Sequence, residues 1–390
     1  MATRTATFPL GAAVTLEQLE RDPHPVLAGL REREPVSWLP SLDGWLVTRH
    51  DLVLAAMLDH QAFTVDDPRF STARVIGPSM LSRDGDEHAR HRTPFVAPFR
   101  AAAVKERFAA PAALESERLL SELEPLGSGE LRRSFAGPIS AAIVARALGL
   151  GREEVADVLG WYEAIVASVT DITAGRGPTD TGELAFARLR ERLEAVIGDT
   201  GQSSLLAAAA ADSGLSHGQI VSNAAVLLFG GIETTEGMIA NAALMLLERP
   251  RELARAREDP AVLEAAIEES LRLEPAAAVI DRYATADVQL GGAAIARGEL
   301  VRISITAANR DPALFTDPDV FDLARTNRRH LAFAQGLHVC VGVHLARLEA
   351  RAALATLLGR LPKLRLDPER PAAIRGLVFR KPPRLDALWY

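Results

Sequence analysis

One stretch constrains the fold more than any other, because residues 216–247 read as a single long helix. Ser216-His-Gly-Gln219 is a capping box in its glutamine form, Leu215 stands where a hydrophobic staple is placed, and an apolar pattern then runs to Leu247, ahead of Pro250. At about 1.5 Å per residue this segment is a rod of about 48 Å, long enough to cross a whole domain. Abundant alanine and leucine, with aromatic residues at only 5 %, lean the same way, toward a helical rather than an all-β chain.

The middle of that helix contradicts simple packing. Gly230 and Gly231 are followed by Glu233, Thr234 and Thr235. Each interior glycine costs roughly 0.5–1 kcal/mol, and a buried acid costs more unless it is hydrated or paired. The polar interruption also excludes a membrane span. Thr234 lies four residues after Gly230 and is placed to divert that carbonyl's hydrogen bond, opening the helix locally. A hydrated notch beside a hydroxyl and a carboxylate is what proton delivery to an oxygen ligand requires. The plainer alternative is a harmless kink.

The second constraint is Phe333-Ala-Gln-Gly-Leu-His-Val-Cys-Val-Gly342, which holds the only cysteine and opens onto another helical pattern at Leu345, Leu348, Ala352 and Leu357. A lone cysteine is most often a small buried hydrophobe. Here glycines flank it, His338 is beside it, and a helix start follows, where exposed amides favour a thiolate and through it a metal.

At 390 residues and net charge −7 the chain is long enough for one large domain or two to three ordinary ones, with acids and bases interspersed. No basic field is present to hold nucleic acid. A single cysteine cannot form an internal disulfide, the first residues lack an extended apolar stretch, and the chain reads as cytoplasmic.

In chain order, residues 1–30, with Pro9, Pro23 and Pro25, read as short extended segments before a first helix, Trp38 to Thr48 as a hairpin turning at Asp43-Gly44, and Asp66 to Asp86 as a long connection. Helical patterns cover about 102–123, 138–148, 151–174 and 183–197, broken by the polar Gly175–Gly182 stretch. Ala261–Leu273 is helical, and strands are expected at Arg282–Thr285, Val288–Leu290 and Val301–Ile305. With no internal repeat and no linker, residues 1–390 read as a single domain. Val75, Ile76, Met80, Leu227, Ala277, Val279 and Ile280 are candidate apolar pocket residues.

The 333–342 run resembles the heme-binding loop of the cytochromes P450, matching at Phe333, Gly336, His338, Cys340 and Gly342. It departs at Ala334, where that family usually has glycine. Gly230-Gly-Ile-Glu-Thr234 resembles the family's oxygen-activation motif, with glutamate where aspartate is common. The segment 84–92 looks like the family's region where a histidine and an arginine hold heme propionates, and Arg282 resembles the arginine that reaches a propionate from the sheet. Glu269 and Arg272 resemble the family's structural E-x-x-R pair, with Arg325 as the third member.

The resemblance covers nearly the whole chain and implies a mainly α fold with a small β region, a long central helix beside the heme and a substrate lid at about 160–195. It implies heme b (iron protoporphyrin IX) with Cys340 as the metal ligand. His88, Arg92, Arg282 and His338 would hold the propionates, Phe333 and Gly336 would shape the loop, and Thr234 with Glu233 would be the catalytic pair. The expected activity is that of a soluble bacterial heme-thiolate monooxygenase inserting one atom of O2 into a hydrophobic small molecule, with a role in secondary metabolism. Electrons from NAD(P)H would come through a ferredoxin and ferredoxin reductase, docking near Arg328, Arg329 and Arg347 on a monomer.

Three other readings stay open at this level. A peroxide-driven peroxygenase is disfavoured by the retained Glu233-Thr234 pair, and a heme-based gas or redox sensor would differ in making no product. Zinc bound by His338, Cys340 and His344 leaves the notched helix unexplained.

Overall fold

The computed structural model describes residues 2–173, 177–198, 205–212 and 214–390. The chain divides into two units, one formed by residues 1–65, 237–340 and 363–388, the other by 66–236, 341–362 and 389–390.

The first unit is organised by a five-stranded mixed sheet. Its order is Val36–Leu39, Gly44–Val47, Leu300–Ser304, Val279–Ala284 and Phe63–Thr64. The expected hairpin forms, with Trp38 opposite Trp45, and turns through Pro40–Leu42 with Asp43 in the left-handed region at φ 45°. Gly44–Val47 then runs parallel to Leu300–Ser304, and Val279–Ala284 runs antiparallel to that strand, with Arg282 opposite Val301. Alternate side chains feed a core of Val36, Trp38, Trp45, Val47, Val301 and Ile303. The indole rings of Trp38 and Trp45 meet edge to face at 5.5 Å.

The opening residues differ from the sequence expectation. Instead of running extended they hold helices at Leu16–Arg21 and His24–Arg33. Thr15 caps the first in a reciprocal box with Gln18, and Pro25 sits in the first turn of the second, where its missing N–H is not needed. The prolines that suggested extended chain are start signals.

The second unit is helical. Ala101–Leu123 packs along Val343–Arg360, whose Arg360 guanidinium reaches Glu117 at 2.6 Å and also pairs with Glu124. Val155–Thr173 packs on Gly137–Leu148 and on Asp180–Gly198. The connection read at 66–86 contains a six-residue helix, Ser71–Ile76, too short to show a period and ended by Gly77 at φ 82°.

The central helix runs over His217–Leu247. Its capping box is present: the Ser216 amide donates to Gln219 Oε1 at 3.0 Å and the Gln219 amide to Ser216 Oγ at 3.3 Å. Residues up to Glu236 count with the second unit and those from Gly237 with the first. Among the described residues no helix is long and apolar enough to cross a membrane.

Candidate active site

From Ile220 to Leu247 every residue of the central helix is buried except Gly230, Gly231 and Thr234. These three make the notch. A Cβ built on Gly230 would meet nothing within 4 Å, whereas one on Gly231 would come within 3.0 Å of Val144 Cγ2, so the open space is beside Gly230. Thr234 donates its hydroxyl to the Gly230 carbonyl at 2.6 Å. The helix stays continuous through 230–235 rather than opening, because this back-bond shares the carbonyl without expelling the amide ladder.

Glu233, 4 % exposed, accepts a hydrogen bond from the Tyr162 hydroxyl on Val155–Thr173. Glu236, one turn on, is paired with Arg132 at 3.2 Å. Nothing in the sequence singled out Tyr162, which sits in an ordinary apolar helical face.

His88 and Arg92 lie four apart on Gly85–Val96, His88 buried and Arg92 half-buried, as expected for neighbours on one helical face. Between them His91 is taken up in packing, its Nδ1 lying 3.0 Å from Asn223 Nδ2. Burial holds the His91 imidazole below its ordinary pKa despite that hydrogen bond. Ile76, Met80 and Leu227 of this unit are buried, and Val75 is half-buried.

In the first unit, the Cys340 amide donates to the Phe333 carbonyl at 2.9 Å and closes the loop. Ala334 at φ 55° and Gly336 at φ 77° turn the chain, and Gly336–His338 forms one short helical turn. Gly336 is required twice over, since a Cβ there would also stand 3.1 Å from the Met57 carbonyl oxygen. Ala334 takes a conformation glycine adopts more easily, which is the local consequence of the departure from the family pattern. No residue from Ala332 to Cys340 is buried, and Phe333, His338 and Cys340 are each half-buried. The chain then enters Val343–Arg360 at Gly342 with no side-chain cap and no acid in the first turn.

Arg282 is 5 % exposed in its strand and donates to the Asp281 carbonyl at 2.8 Å. The neighbouring framework is strongly cross-linked. Arg272 grips Glu269 through two bonds of 2.9 and 2.8 Å and donates to the carbonyls of Asn309, Pro318 and Val320. Arg325 joins Glu269 Oε1 at 2.9 Å, as expected of the third member.

The site residues thus fall in two groups. Phe333, Gly336, His338, Cys340 and Arg282 belong to the first unit, and His88, Arg92, Glu233 and Thr234 to the second. Their chemistry fits a heme: one half-buried cysteine on a tightly turned loop, basic side chains for two carboxylates, and open space at Gly230 beside a hydroxyl. Among the described residues no three His, Cys, Asp or Glu side chains are grouped to hold a metal ion, which leaves the zinc reading without a ligand set.

The family profile described as Cytochrome P450 matches residues 190–384. Nocardicin C N-oxygenase of Nocardia uniformis subsp. tsuyamanensis is 36 % identical, over 99 % of this chain and 99 % of its own. Cytochrome P450 107B1 of Saccharopolyspora erythraea is 35 % identical over 89 % of each. Among solved structures, that of CalO2 superposes with a TM-score of 0.87 at 28 % identity, covering 96 % of this chain and 99 % of that one. The loop around Cys340, the notched helix and these relatives agree, and the chain belongs to the cytochrome P450 family of heme-thiolate monooxygenases.

Proposed function

We propose that Cys340 is the thiolate that would hold heme b in this monooxygenase and that residues 1–390 act as a single catalytic domain. Heme bound there supplies the binding and reduction of O2. The observation that carries the assignment is the loop itself, in which the Cys340 amide is tied to the Phe333 carbonyl and Cys340 is half-buried.

His88, Arg92, Arg282 and His338 would hold the propionates, each charge-assisted hydrogen bond contributing roughly 1.5–3 kcal/mol when partly buried. Phe333 and Gly336 set the loop. Thr234 presents a hydroxyl at the notch and Glu233 stands next to it in the chain, and together they would hold and move the protons that the reaction takes up.

The substrate is a hydrophobic organic molecule received against Ile76, Met80 and Leu227, with the segment 160–195, described apart from 174–176, as its lid. Electrons come from NAD(P)H through a ferredoxin and ferredoxin reductase. Exposed Arg328 and Arg329, and separately half-buried Arg347, are the basic residues offered to an acidic partner. The protein works as a cytoplasmic monomer. The retained Glu233-Thr234 pair favours O2 over peroxide as oxidant.

Cys340→Ser tests the ligand assignment. The variant is expected to lose the thiolate spectrum even where heme is retained; an unchanged spectrum would remove Cys340 from the site.

A further inference from the structure

Residues 331–335 carry no helix or strand, so the backbone that leads into the Cys340 loop has no ladder to hold it. Side chains take over that task. The Leu331 amide donates to Asn309 Oδ1 at 2.7 Å, and the Ala334 amide turns back to the Leu331 carbonyl at 2.9 Å. Between them, the Ala332 amide donates at 3.3 Å to Nδ1 of His330, two residues back.

His330 is 8 % exposed. Its other ring nitrogen, Nε2, lies 3.1 Å from Oε2 of Glu268 on the helix Pro260–Leu273. These two contacts settle the tautomer. A backbone N–H can only donate, so Nδ1 carries the lone pair and Nε2 the proton, which Glu268 accepts. Glu268 thereby keeps Nδ1 an acceptor. The ring also stands beside that of Phe333, with centroids 6.4 Å apart, and the Phe333 carbonyl holds the Cys340 amide at 2.9 Å. A continuous path runs from Glu268 through His330 and Ala332 to Phe333 and Cys340, all within the first unit.

We infer that His330 is a positioning residue of the monooxygenase: with its tautomer set by Glu268, it fixes the entry of the Cys340 loop through the Ala332 amide. That role rests on the assignment of Cys340 as the thiolate. His330 acts through the backbone and not on the sulfur.

The test replaces the two ring nitrogens one at a time. His330→Asn keeps an acceptor near the position of Nδ1 and gives up the reach to Glu268, whereas His330→Gln keeps a donor near the position of Nε2 and gives up the acceptor. In the holoenzyme, reduced with dithionite under carbon monoxide, the ratio of unshifted to red-shifted Soret band reads the loss of thiolate. In His330→Gln that ratio rises at least about fivefold over wild type, the factor that one hydrogen bond is worth in an equilibrium. In His330→Asn it stays closer to the wild-type value than to that of His330→Gln. A second readout probes the wild-type ring itself, in the diamagnetic reduced carbon-monoxide form with isotope-labelled histidine. The nitrogen resonances of His330, identified by their absence from the variants, show a proton on Nε2 and none on Nδ1.

A wild-type Soret ratio in His330→Gln, an asparagine variant as damaged as the glutamine one, or a proton on Nδ1 overturns the positioning role while leaving Cys340 as the thiolate. Heme without a red-shifted band in the wild-type protein overturns the thiolate assignment, and the role of His330 with it.

Discussion

Thr234 donates its hydroxyl proton to the Gly230 carbonyl at 2.6 Å, and with Gly231 these are the residues of the central helix between Ile220 and Leu247 that are not buried. With its proton directed to the backbone, the hydroxyl presents its lone pairs to the notch. The glycine supplies the space and the threonine the polar group, and neither is useful without the other.

Thr234→Ala should therefore fold normally, since alanine is the better helix former by several tenths of a kcal/mol. Product per electron should fall by at least about tenfold, with oxygen consumed but not transferred to substrate. Thr234→Ser should keep most of the coupling. Unchanged coupling in the alanine variant removes the hydroxyl from the relay.

The Cys340 loop allows a paired test of backbone strain. Ala334 at φ 55° is held where an L-residue is disfavoured by about 1–2 kcal/mol, and glycine's extra unfolded-state entropy returns about 0.4–1 kcal/mol of that. Ala334→Gly is expected to stabilise the protein by about 0.5–1 kcal/mol. Gly336→Ala, at φ 77° and 3.1 Å from the Met57 carbonyl, is expected to destabilise it by about 2 kcal/mol and to weaken heme retention. Thermal unfolding and heme content of the purified variants measure both.

Arg272→Lys keeps the charge but cannot keep the fork. Arg272 is 1 % exposed, binds both oxygens of Glu269 and donates to three backbone carbonyls. The substitution should destabilise by about 3 kcal/mol, comparable to breaking a buried pair. An equally stable lysine variant in chemical denaturation would show that charge alone holds this framework.

Glu274 gives the first unit an acid limit. Burial pushes its carboxyl up, but a hydrogen bond and charge from His24 and the charges of Arg380 and Arg310 bring it down to about 2 from an ordinary 4.5. A carboxyl depressed in the folded state contributes its stability in full above about 4.5 and loses it as pH falls toward about 2, on the order of 3 kcal/mol in all. Glu274→Gln should be less stable than wild type near neutrality, with the two curves converging across that window. Parallel curves would assign the acid limit to other groups.

How much of this was legible in the sequence depended on the range of each signal. The central helix was, because its capping box and apolar period are local and long, and so was the Glu269–Arg272 pair at three-residue spacing. The loop glycines pointed to turns, and two of the turning positions, Ala334 and Gly336, have positive φ, but only the coordinates show that Gly336 is also pressed against the Met57 carbonyl. The early helices are hidden because Pro25, which with Pro9 and Pro23 suggests extended chain, occupies a first turn. Tyr162 was invisible for a different reason: its partner is 71 residues away, and no local pattern reports such a contact.

The absorption spectrum of the purified protein, reduced with dithionite and exposed to carbon monoxide, tests the central claim most directly. A strongly red-shifted Soret band that disappears in Cys340→Ser is the expected result. Heme with an unshifted carbon-monoxide band in the intact wild-type protein would contradict thiolate ligation by Cys340.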